Sequence, residues 1–257
     1  MNIGIFDSGI GGLSVLHQAK TLLPNENFIF YADVDHVPYG TKSKQQVIDY
    51  VDHIIDFMIE YECKAVVIAC NTATAAAAQV VREKYSIPII GIEPAIKPAV
   101  EQSMGKRVMV IATPLAVNEE KIKNLVDRVD DDHLVDLVPF PKLVYFAENG
   151  IFATAQVEEY VRDTLSGYDM DQYSEFVLGC THFNYFKDTF RKVLPDSVRV
   201  IDGIEGTVKQ LRRVLERNQL MEENEGNIRF FESGREVTDL EKINTLLNRL
   251  KEMKKIR

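Results

Sequence analysis

The sequence predicts an α/β protein built from mostly parallel sheets that are covered by helices. Short apolar runs alternate with amphipathic segments along the 257 residues, which is typical of parallel strands joined by helices. Two of the apolar runs, in segments 64–73 and 174–183, look like copies of one another, and the alternation restarts near residue 98. The simplest architecture is therefore two similar domains with a cleft between them.

The individual strands and helices are predicted from the spacing of apolar residues. Short apolar runs that are bounded by turn residues indicate buried strands. Apolar residues three and four positions apart indicate helices with one buried face, as for Val47, Val51 and Ile54. In chain order, these patterns predict strands over 3–6, 27–32, 64–70, 87–92, 107–112, 134–138, 174–180, 198–201 and 228–231, and helices over 13–23, 44–61, 73–85, 114–125, 156–165, 183–193, 204–220 and a basic final segment through 257.

Composition limits the classes of protein to which the chain can belong. Apolar residues make up 46% of the chain, which is enough for a real core, and the longest apolar runs are too short to span a bilayer. The net charge of −9 and the lack of a long basic stretch argue against nucleic acid as a partner. The start of the chain has no basic region ahead of its apolar residues, so we expect a cytoplasmic protein. The acidic stretch 222–225 is expected to be a solvated face.

Two of the three cysteines stand at matching places in the two copied runs. Cys70 and Cys180 each follow an apolar strand and a small residue, and each precedes polar residues. Ligands of open α/β sheets bind at the carboxyl ends of strands. An odd number of cysteines does not suggest a disulfide framework, so we expect free thiols. The sequence therefore predicts that Cys70 and Cys180 face one another across one small substrate.

Two facing thiols suit the inversion of a carbon centre through a carbanion. One thiolate removes the α-proton, and the opposite thiol returns a proton to the other face. Free cysteine has a pKa of about 8.5, so each thiol needs a polar neighbour that accepts or shuttles its proton. Asp7 is placed to serve Cys70, and His182, with Glu148, is placed to serve Cys180. Amides and hydroxyls near these residues are expected to hold the carboxylates of the substrate: Ser8, Asn71, Thr72 and Thr181.

Pro38 and Gly40 frame Tyr39 in a loop that follows the second predicted strand. Such framing favours a turn that holds the tyrosine side chain in one direction, which suits binding. The alternative is an ordinary turn tyrosine that packs on its neighbours.

Parts of the same sequence are also compatible with other functions. The turn Gly9–Gly12 shows part of a dinucleotide-binding fingerprint and suggests a nucleotide-dependent oxidoreductase, but Ser14 stands at the third glycine and Asp7 would repel a diphosphate. A cysteine–histidine hydrolase would leave Cys70 idle. The cysteines and His182 lack the paired spacing of a zinc site, so no metal is expected. A non-catalytic binding protein for an acidic amino acid is a further alternative. The third cysteine, Cys63, is best interpreted as a core residue.

Four motifs together resemble the cofactor-independent glutamate racemases of the aspartate/glutamate racemase family. They are Asp-Ser-Gly-Ile-Gly-Gly at 7–12, Pro-Tyr-Gly at 38–40, Cys-Asn-Thr-Ala at 70–73 and Gly-Cys-Thr-His at 179–182. The resemblance covers nearly the whole chain. It implies interconversion of L- and D-glutamate without a cofactor or metal, a supply of D-glutamate for peptidoglycan, and a homodimer. It also implies two pseudo-symmetric domains with the active site between them, at 1–97 plus 208–257 and at 98–207.

The resemblance also implies roles for individual residues. Cys70 and Cys180 correspond to the two acid/base residues, and Asp7 and His182 assist them. The related aspartate racemases usually carry glutamate after the second Cys-Thr, so His182 points to the glutamate branch, with another acidic amino acid as the alternative substrate. The chain departs from the usual pattern at Asn184-Tyr185, where Pro-Leu is usual, and at Tyr145-Phe146 ahead of Glu148. The implied substrate-binding residues are Asp7, Ser8, Tyr39, Gly40, Asn71, Thr72, Thr181 and His182.

Overall fold

The structure is a computed structural model that describes residues 1–223 and 226–256. Asn224, Glu225 and Arg257 are not described, so part of the predicted acidic stretch and the end of the predicted final helix lie outside it. The described chain forms two sheets flanked by helices, and the predicted α/β fold class is confirmed.

The first sheet contains the strands of the first half of the chain together with two strands from its end. Its order is β10-β9-β2-β1-β3-β4, and all neighbouring pairs are parallel except β9 and β10. The antiparallel strand β10 was not predicted, because two residues carry no detectable alternation. The strands are β1 (Asn2–Asp7), β2 (Asn27–Ala32), β3 (Cys63–Ile68), β4 (Ile89–Gly91), β9 (Ile228–Glu232) and β10 (Arg235–Glu236).

The second sheet is parallel throughout and has the order β6-β5-β7-β8. Its central pair repeats the central pair of the first sheet. Phe6 of β1 is in register with Ile68 of β3, and Ile111 of β5 is in register with Leu178 of β7. The repeat places the two cysteines at corresponding strand ends. The strands are β5 (Arg107–Ala112), β6 (Val135–Pro139), β7 (Tyr173–Leu178) and β8 (Arg199–Asp202).

Helices cover the sheets, and most of them begin where the sequence predicts. Within residues 1–223 and 226–256, none of these helices combines the length and the apolar character that crossing a bilayer requires. The helices are α1 (Leu13–Leu22), α2 (Lys44–Glu60), α3 (Asn71–Lys84), α4 (Ile96–Gln102), α5 (Pro114–Asn118), α6 (Glu120–Val129), α7 (Pro141–Glu148), α8 (Ala155–Leu165), α9 (Lys187–Val193), α10 (Ile204–Arg217) and α11 (Glu241–Lys254).

Two predicted helices are interrupted. The helix predicted over 114–125 is divided into α5 and α6 at Glu119, whose backbone is extended and whose carboxylate lies 2.8 Å from Lys44 Nζ of α2. The helix predicted over 183–193 starts as a 3-10 helix, Thr181–Phe186, before α9. In both places a contact with a distant part of the chain accompanies the change.

The division into two domains stays a prediction. The separation of the strands into two sheets supports two domains, with the end of the chain returning to the first. Strands β5–β8 make one sheet, and β9 returns to pair with β2 of the other. Both proposed boundaries fall inside helices. Residue 98 lies in α4, which contacts β5, β7 and α6, and residue 208 lies in α10, which contacts α1 and β4. One continuous apolar core joins the sheets, with Ile5 and Phe30 of the first and Met109 and Phe176 of the second.

Candidate active site

The carboxyl ends of β1, β3 and β7 meet in the region where the sheets approach. The pairing of β1 with β3 continues to Ala69, whose N–H donates to the Phe6 carbonyl at 2.7 Å. The pairing of β5 with β7 continues to Gly179 in the same way, at 2.7 Å from the Ile111 carbonyl. Each cysteine therefore leaves its strand directly after the last sheet hydrogen bond. Cys70 then caps α3, because its sulfur accepts a hydrogen bond from Ala73 N at 3.4 Å.

Asp7 connects the part of the site that contains Cys70 to the loop that follows Cys180. It ends β1 and is completely buried. One carboxylate oxygen, Oδ2, accepts hydrogen bonds from Gly12 N at 2.7 Å and from Thr181 Oγ1 at 3.3 Å, and lies 3.9 Å from His182 Nδ1. Among the described residues, the other oxygen, Oδ1, has no hydrogen-bond partner. Asp7 therefore keeps one free acceptor inside the site.

His182 stands between the second cysteine and a carboxylate. Its Nδ1 lies 3.8 Å from Cys180 Sγ, and its Nε2 lies 2.6 Å from Glu148 Oε1. Glu148 is the last residue of α7, and its Oε1 also accepts a hydrogen bond from Ile10 N at 2.8 Å. The structure thus places Glu148 behind His182, where it orients the imidazole toward Cys180.

A continuous set of contacts brings the two cysteines to one site. The Cys70 thiol donates to Ser8 Oγ at 3.7 Å, and Ser8 adjoins Asp7. Asp7 in turn contacts Thr181 and His182, which follow Cys180 directly. The charge of a Cys180 thiolate also opposes ionisation of Cys70 and contributes to raising its pKa. Both cysteine residues are buried, at 5% and 6% exposure, so any reaction between their thiols proceeds away from bulk water.

The environments of the two cysteines differ because the sheets repeat only in part. In the matching registers, Asp7 corresponds to Ala112, and Ser8 corresponds to Thr113. The second sheet therefore has no carboxylate at the position of Asp7. Cys180 obtains its polar partner from the residue two positions later, His182.

Burial and nearby negative charge favour the neutral form of the first cysteine and its neighbour. Burial, followed by the charge of Asp7, raises the pKa of Cys70 well above its usual range. Burial also raises the pKa of Asp7, against the opposing effects of the His182 charge and the Gly12 hydrogen bond. Both shifts favour the protonated forms of Cys70 and Asp7, and a positive charge that approaches these groups would oppose them.

The second half of the site is an ion pair. Burial alone would lower the pKa of His182, but hydrogen bonds to Cys180 and Glu148 and the charges of Asp7 and Glu148 raise it well above its ordinary value. Burial alone would raise the pKa of Glu148, but the bond and charge of His182 and the Ile10 N–H lower it. Both shifts favour an imidazolium at His182 and a carboxylate at Glu148.

This ion pair predicts how His182 contributes to stability at different pH values. Because its folded-state pKa is raised, its contribution is complete below about pH 6.5 and is lost as pH rises through the folded-state value. We expect the difference in unfolding free energy between wild type and His182→Gln to be largest near pH 6 and to shrink as pH rises. Urea unfolding from about pH 5 to about pH 9 measures it.

His17 provides a control of opposite sign for that experiment. Burial and the charges of Lys254 and Lys251 lower the pKa of His17, so its protonation destabilises the fold. The stability that His17→Gln gains over wild type should therefore grow as pH falls below about 6.5. A pH-independent effect of His182→Gln would contradict the ion pair.

The predicted substrate-binding residues lie around this cluster. Two of them, Asp7 and Asn71, have a buried polar atom without a hydrogen-bond partner among the described residues. Asn71 and Ser8 flank Cys70, and both are buried. Within the described chain, Asn71 Nδ2 has no hydrogen-bond partner. A buried amide donor without a partner is uncommon in folded proteins. Together with Asp7 Oδ1, Asn71 Nδ2 gives the site one free donor and one free acceptor for a polar ligand.

The remaining predicted binding residues are engaged with the protein in this structure. Thr72 Oγ1 lies 2.8 Å from Thr113 Oγ1, and the Tyr39 hydroxyl donates to Asp33 Oδ2 at 2.6 Å. A Cβ atom on Gly40 would lie 2.8 Å from Thr113 Cβ. The Tyr39 ring is buried and packs near Tyr50, and its role in substrate binding stays a prediction. The backbone of Gly40 faces Thr113.

The glycine turn is packed against the second cysteine's loop, which argues against the dinucleotide alternative. A Cβ atom on Gly11 would lie 2.5 Å from His182 Nδ1 and 2.6 Å from Thr181 Oγ1. A Cβ atom on Gly9 would collide with the Glu148 carboxylate. The space that a pyrophosphate would need is occupied by these side chains. The glycines instead permit the close approach of the two halves of the site.

Sequence reasoning did not identify Thr113 or Tyr185 as site residues. Thr113 follows β5 as Ser8 follows β1, so the repeat of the sheets contains a signal for it. Tyr185 is completely buried, and its hydroxyl donates to the Ile10 carbonyl at 3.0 Å. The departure of Asn184-Tyr185 from the usual family pattern was its only signal.

Comparison with known proteins shows the family of the chain. A model of the Asp/Glu/Hydantoin racemase family matches residues 13–211. The glutamate racemase of Lachnospira eligens is 47% identical over 265 residues that include all of both chains. A crystal structure of the Francisella tularensis glutamate racemase with D-glutamate superimposes with a TM-score of 0.82 at 31% identity, covering 97% of this chain and 92% of that one.

A second solved structure gives the same result at lower identity. The Escherichia coli glutamate racemase, solved with L-glutamate and the activator UDP-MurNAc-ala, has a TM-score of 0.79 at 25% identity over 92% of this chain and 99% of that one. The resemblance expected from the four motifs is thereby confirmed, and the chain belongs to the Asp/Glu/Hydantoin racemase family.

Proposed function

We propose that the protein is a glutamate racemase in which Cys70 and Cys180 are the two acid/base residues. The observation that carries this proposal is the single buried cluster in which Asp7 connects the surroundings of both sulfurs. The full-length similarity to glutamate racemases supports glutamate as the substrate. Supply of D-glutamate to peptidoglycan synthesis follows from that activity.

The reaction conserves protons and electron pairs without an outside reagent. A thiolate on one face takes the α-proton of glutamate and becomes a thiol, and the electron pair of the C–H bond stays on the carbon as an enolate-like carbanion. The thiol on the other face then donates its proton and becomes a thiolate. The reverse reaction exchanges the roles. Asp7 beside Cys70 and His182 beside Cys180 exchange protons with the two sulfurs between turnovers.

The electrostatics of the resting site fit an amino acid as the activating ligand. Burial and Asp7 keep the Cys70 thiol neutral. A substrate α-ammonium brings a positive charge into the same buried volume, which favours the thiolate and the Asp7 carboxylate. The unpaired Asn71 Nδ2 supplies a donor for a substrate carboxylate, and Asp7 Oδ1 supplies an acceptor for the ammonium. We assign substrate binding to these two residues together with the other predicted binding residues, which are Ser8, Tyr39, Gly40, Thr72, Thr181 and His182.

Purified protein mixed with L-glutamate in heavy water, without an added cofactor, tests the function. We expect the α-proton signal to disappear from the NMR spectrum while D-glutamate accumulates until the two enantiomers are equal. L-Aspartate in a parallel tube tests the alternative substrate, and it should react far more slowly. Binding of glutamate without loss of its α-proton would instead indicate the non-catalytic binding protein.

The assembly and the location of the protein stay predictions. We propose a homodimer in the cytoplasm, as the family resemblance implies. Light scattering at enzyme-assay concentrations would measure the mass of the particle. A mass of 29.2 kDa, which is that of a monomer, would contradict the homodimer.

A further inference from the structure

Tyr185 closes a ring of hydrogen bonds around the catalytic histidine. His182 Nε2 bonds Glu148 Oε1 at 2.6 Å, and the same oxygen accepts from Ile10 N at 2.8 Å. The carbonyl of Ile10 accepts from the Tyr185 hydroxyl at 3.0 Å. Tyr185 and His182 lie on the same 3-10 helix, Thr181–Phe186, so the ring returns to its starting element.

The backbone and ring of Tyr185 are themselves held from the outside. The Arg249 guanidinium of α11 donates to the Tyr185 carbonyl at 2.7 Å and to the Asp188 carboxylate at 3.0 Å. The Phe152 ring stacks on Tyr185 with centroids 5.3 Å apart, and Arg249 lies 4.6 Å from the centroid of Phe152. The hydroxyl therefore extends from a fixed support toward the glycine turn.

The turn that Tyr185 holds supplies hydrogen bonds to both catalytic carboxylates. Ile10 N donates to Glu148, and Gly12 N donates to Asp7. A shift of this turn would weaken the orientation of His182 through Glu148 and would move Asp7 at the same time. The Tyr185 hydroxyl bonds the carbonyl between these two amides, where it fixes the turn directly.

We propose that Tyr185 is a positioning residue for proton transfer at Cys180, acting through Ile10 and Glu148 on His182. The inference rests on the proposed racemase function. It assigns a role to a residue at which the chain departs from the usual family pattern, where leucine has no hydroxyl to offer. The groups that face His182 are Asp7 from β1, Glu148 from α7 and Cys180 from its own loop.

The test compares Tyr185→Phe with Tyr173→Phe. Tyr173 is also a buried tyrosine whose hydroxyl bonds a fixed partner, Asp136 Oδ2 at 2.5 Å, but it lies on β7 outside the site. Each variant removes one hydrogen-bonded hydroxyl from a buried tyrosine and keeps the ring; the Tyr173 hydrogen bond is partly buried, whereas that of Tyr185 is buried. We expect kcat for racemisation to fall about 10- to 100-fold in Tyr185→Phe, with KM changed far less, and to stay close to wild type in Tyr173→Phe.

Primary deuterium isotope effects distinguish positioning from general loss of structure. With α-deuterated L- and D-glutamate as separate substrates, impaired transfer at Cys180 makes that step more rate-limiting. The isotope effect on kcat/KM should then rise for the enantiomer that Cys180 deprotonates and fall for the other. Thermal melting of the two variants, which should agree closely, shows whether both remain folded.

A measurement without turnover separates this inference from the proposed function. Nitrogen-15 NMR of the histidine rings reports the His182 titration, which should move to lower pH in Tyr185→Phe and stay in place in Tyr173→Phe. An unchanged titration with an unchanged pair of isotope effects would overturn the role of Tyr185. A wild-type protein that did not racemise glutamate would overturn the proposed function, while the titration would still decide whether Tyr185 positions His182.

Discussion

Replacing either Cys70 or Cys180 with serine should reduce the rate of racemisation by at least about 10³-fold. At neutral pH a serine hydroxyl gives up its proton far less readily than a thiol, so it cannot act as the general base. The two losses should be similar in size, since inversion needs a proton to leave one face and another to arrive at the opposite face. Polarimetry with L- and D-glutamate as separate substrates measures kcat and KM in both directions. The double variant should be no worse than either single variant, because each sulfur alone is already indispensable.

Cys63→Ser is the matched control for these variants. Cys63 is buried like the other two, but it begins β3, at the opposite end of the strand from Cys70. Its sulfur lies 3.8 Å from Met58 Sδ, and burial raises its pKa to about 12. Its replacement should cost some stability and leave kcat unchanged. Near-normal activity in Cys70→Ser or Cys180→Ser would mean that the two sulfurs are not the acid/base pair.

The fold and the centre of the site could be predicted because their signals are local. An apolar run followed by a small residue and a cysteine predicts a strand end, and the carboxyl ends of parallel strands meet at one edge. Cys70, Cys180 and Asp7 each occupy such an end. His182 follows Cys180 by two positions, so its placement also required no knowledge of distant contacts.

The features that sequence reasoning missed depend on residues far away in the chain. Glu119 interrupts a predicted helix and pairs with Lys44, which is 75 positions away. The 3-10 helix at Thr181–Phe186 contains Tyr185, whose partner Ile10 is 175 positions away. Glu148 was predicted to serve Cys180. The hydrogen bond that holds its carboxylate comes from Ile10 N, which lies in the glycine turn after β1 of the first sheet. No window of sequence contains both members of these pairs.

Asp7→Asn should lower kcat by about 10²- to 10³-fold and raise the stability of the protein at pH 7. The amide keeps the shape of the side chain and an oxygen for the Gly12 N–H, but it removes the charge and the proton acceptor beside Cys70. Activity assays and thermal melting on the same preparation measure both effects. Glu175→Gln is the control for activity, because Glu175 is a buried carboxylate on β7 that pairs with Arg199 outside the site, and its replacement should leave kcat unchanged.

The expected gain in stability follows from the sign of the Asp7 shift. Burial raises its folded-state pKa, so the fold favours the neutral acid, and this preference is lost as pH rises through the folded-state value. At pH 7 the buried carboxylate therefore costs stability that asparagine does not. The advantage of Asp7→Asn should vanish below about pH 4, where the wild-type side chain is neutral too. A residue that served only the fold would lose stability on replacement, so a variant that melts later and turns over more slowly identifies Asp7 as a group kept for the reaction.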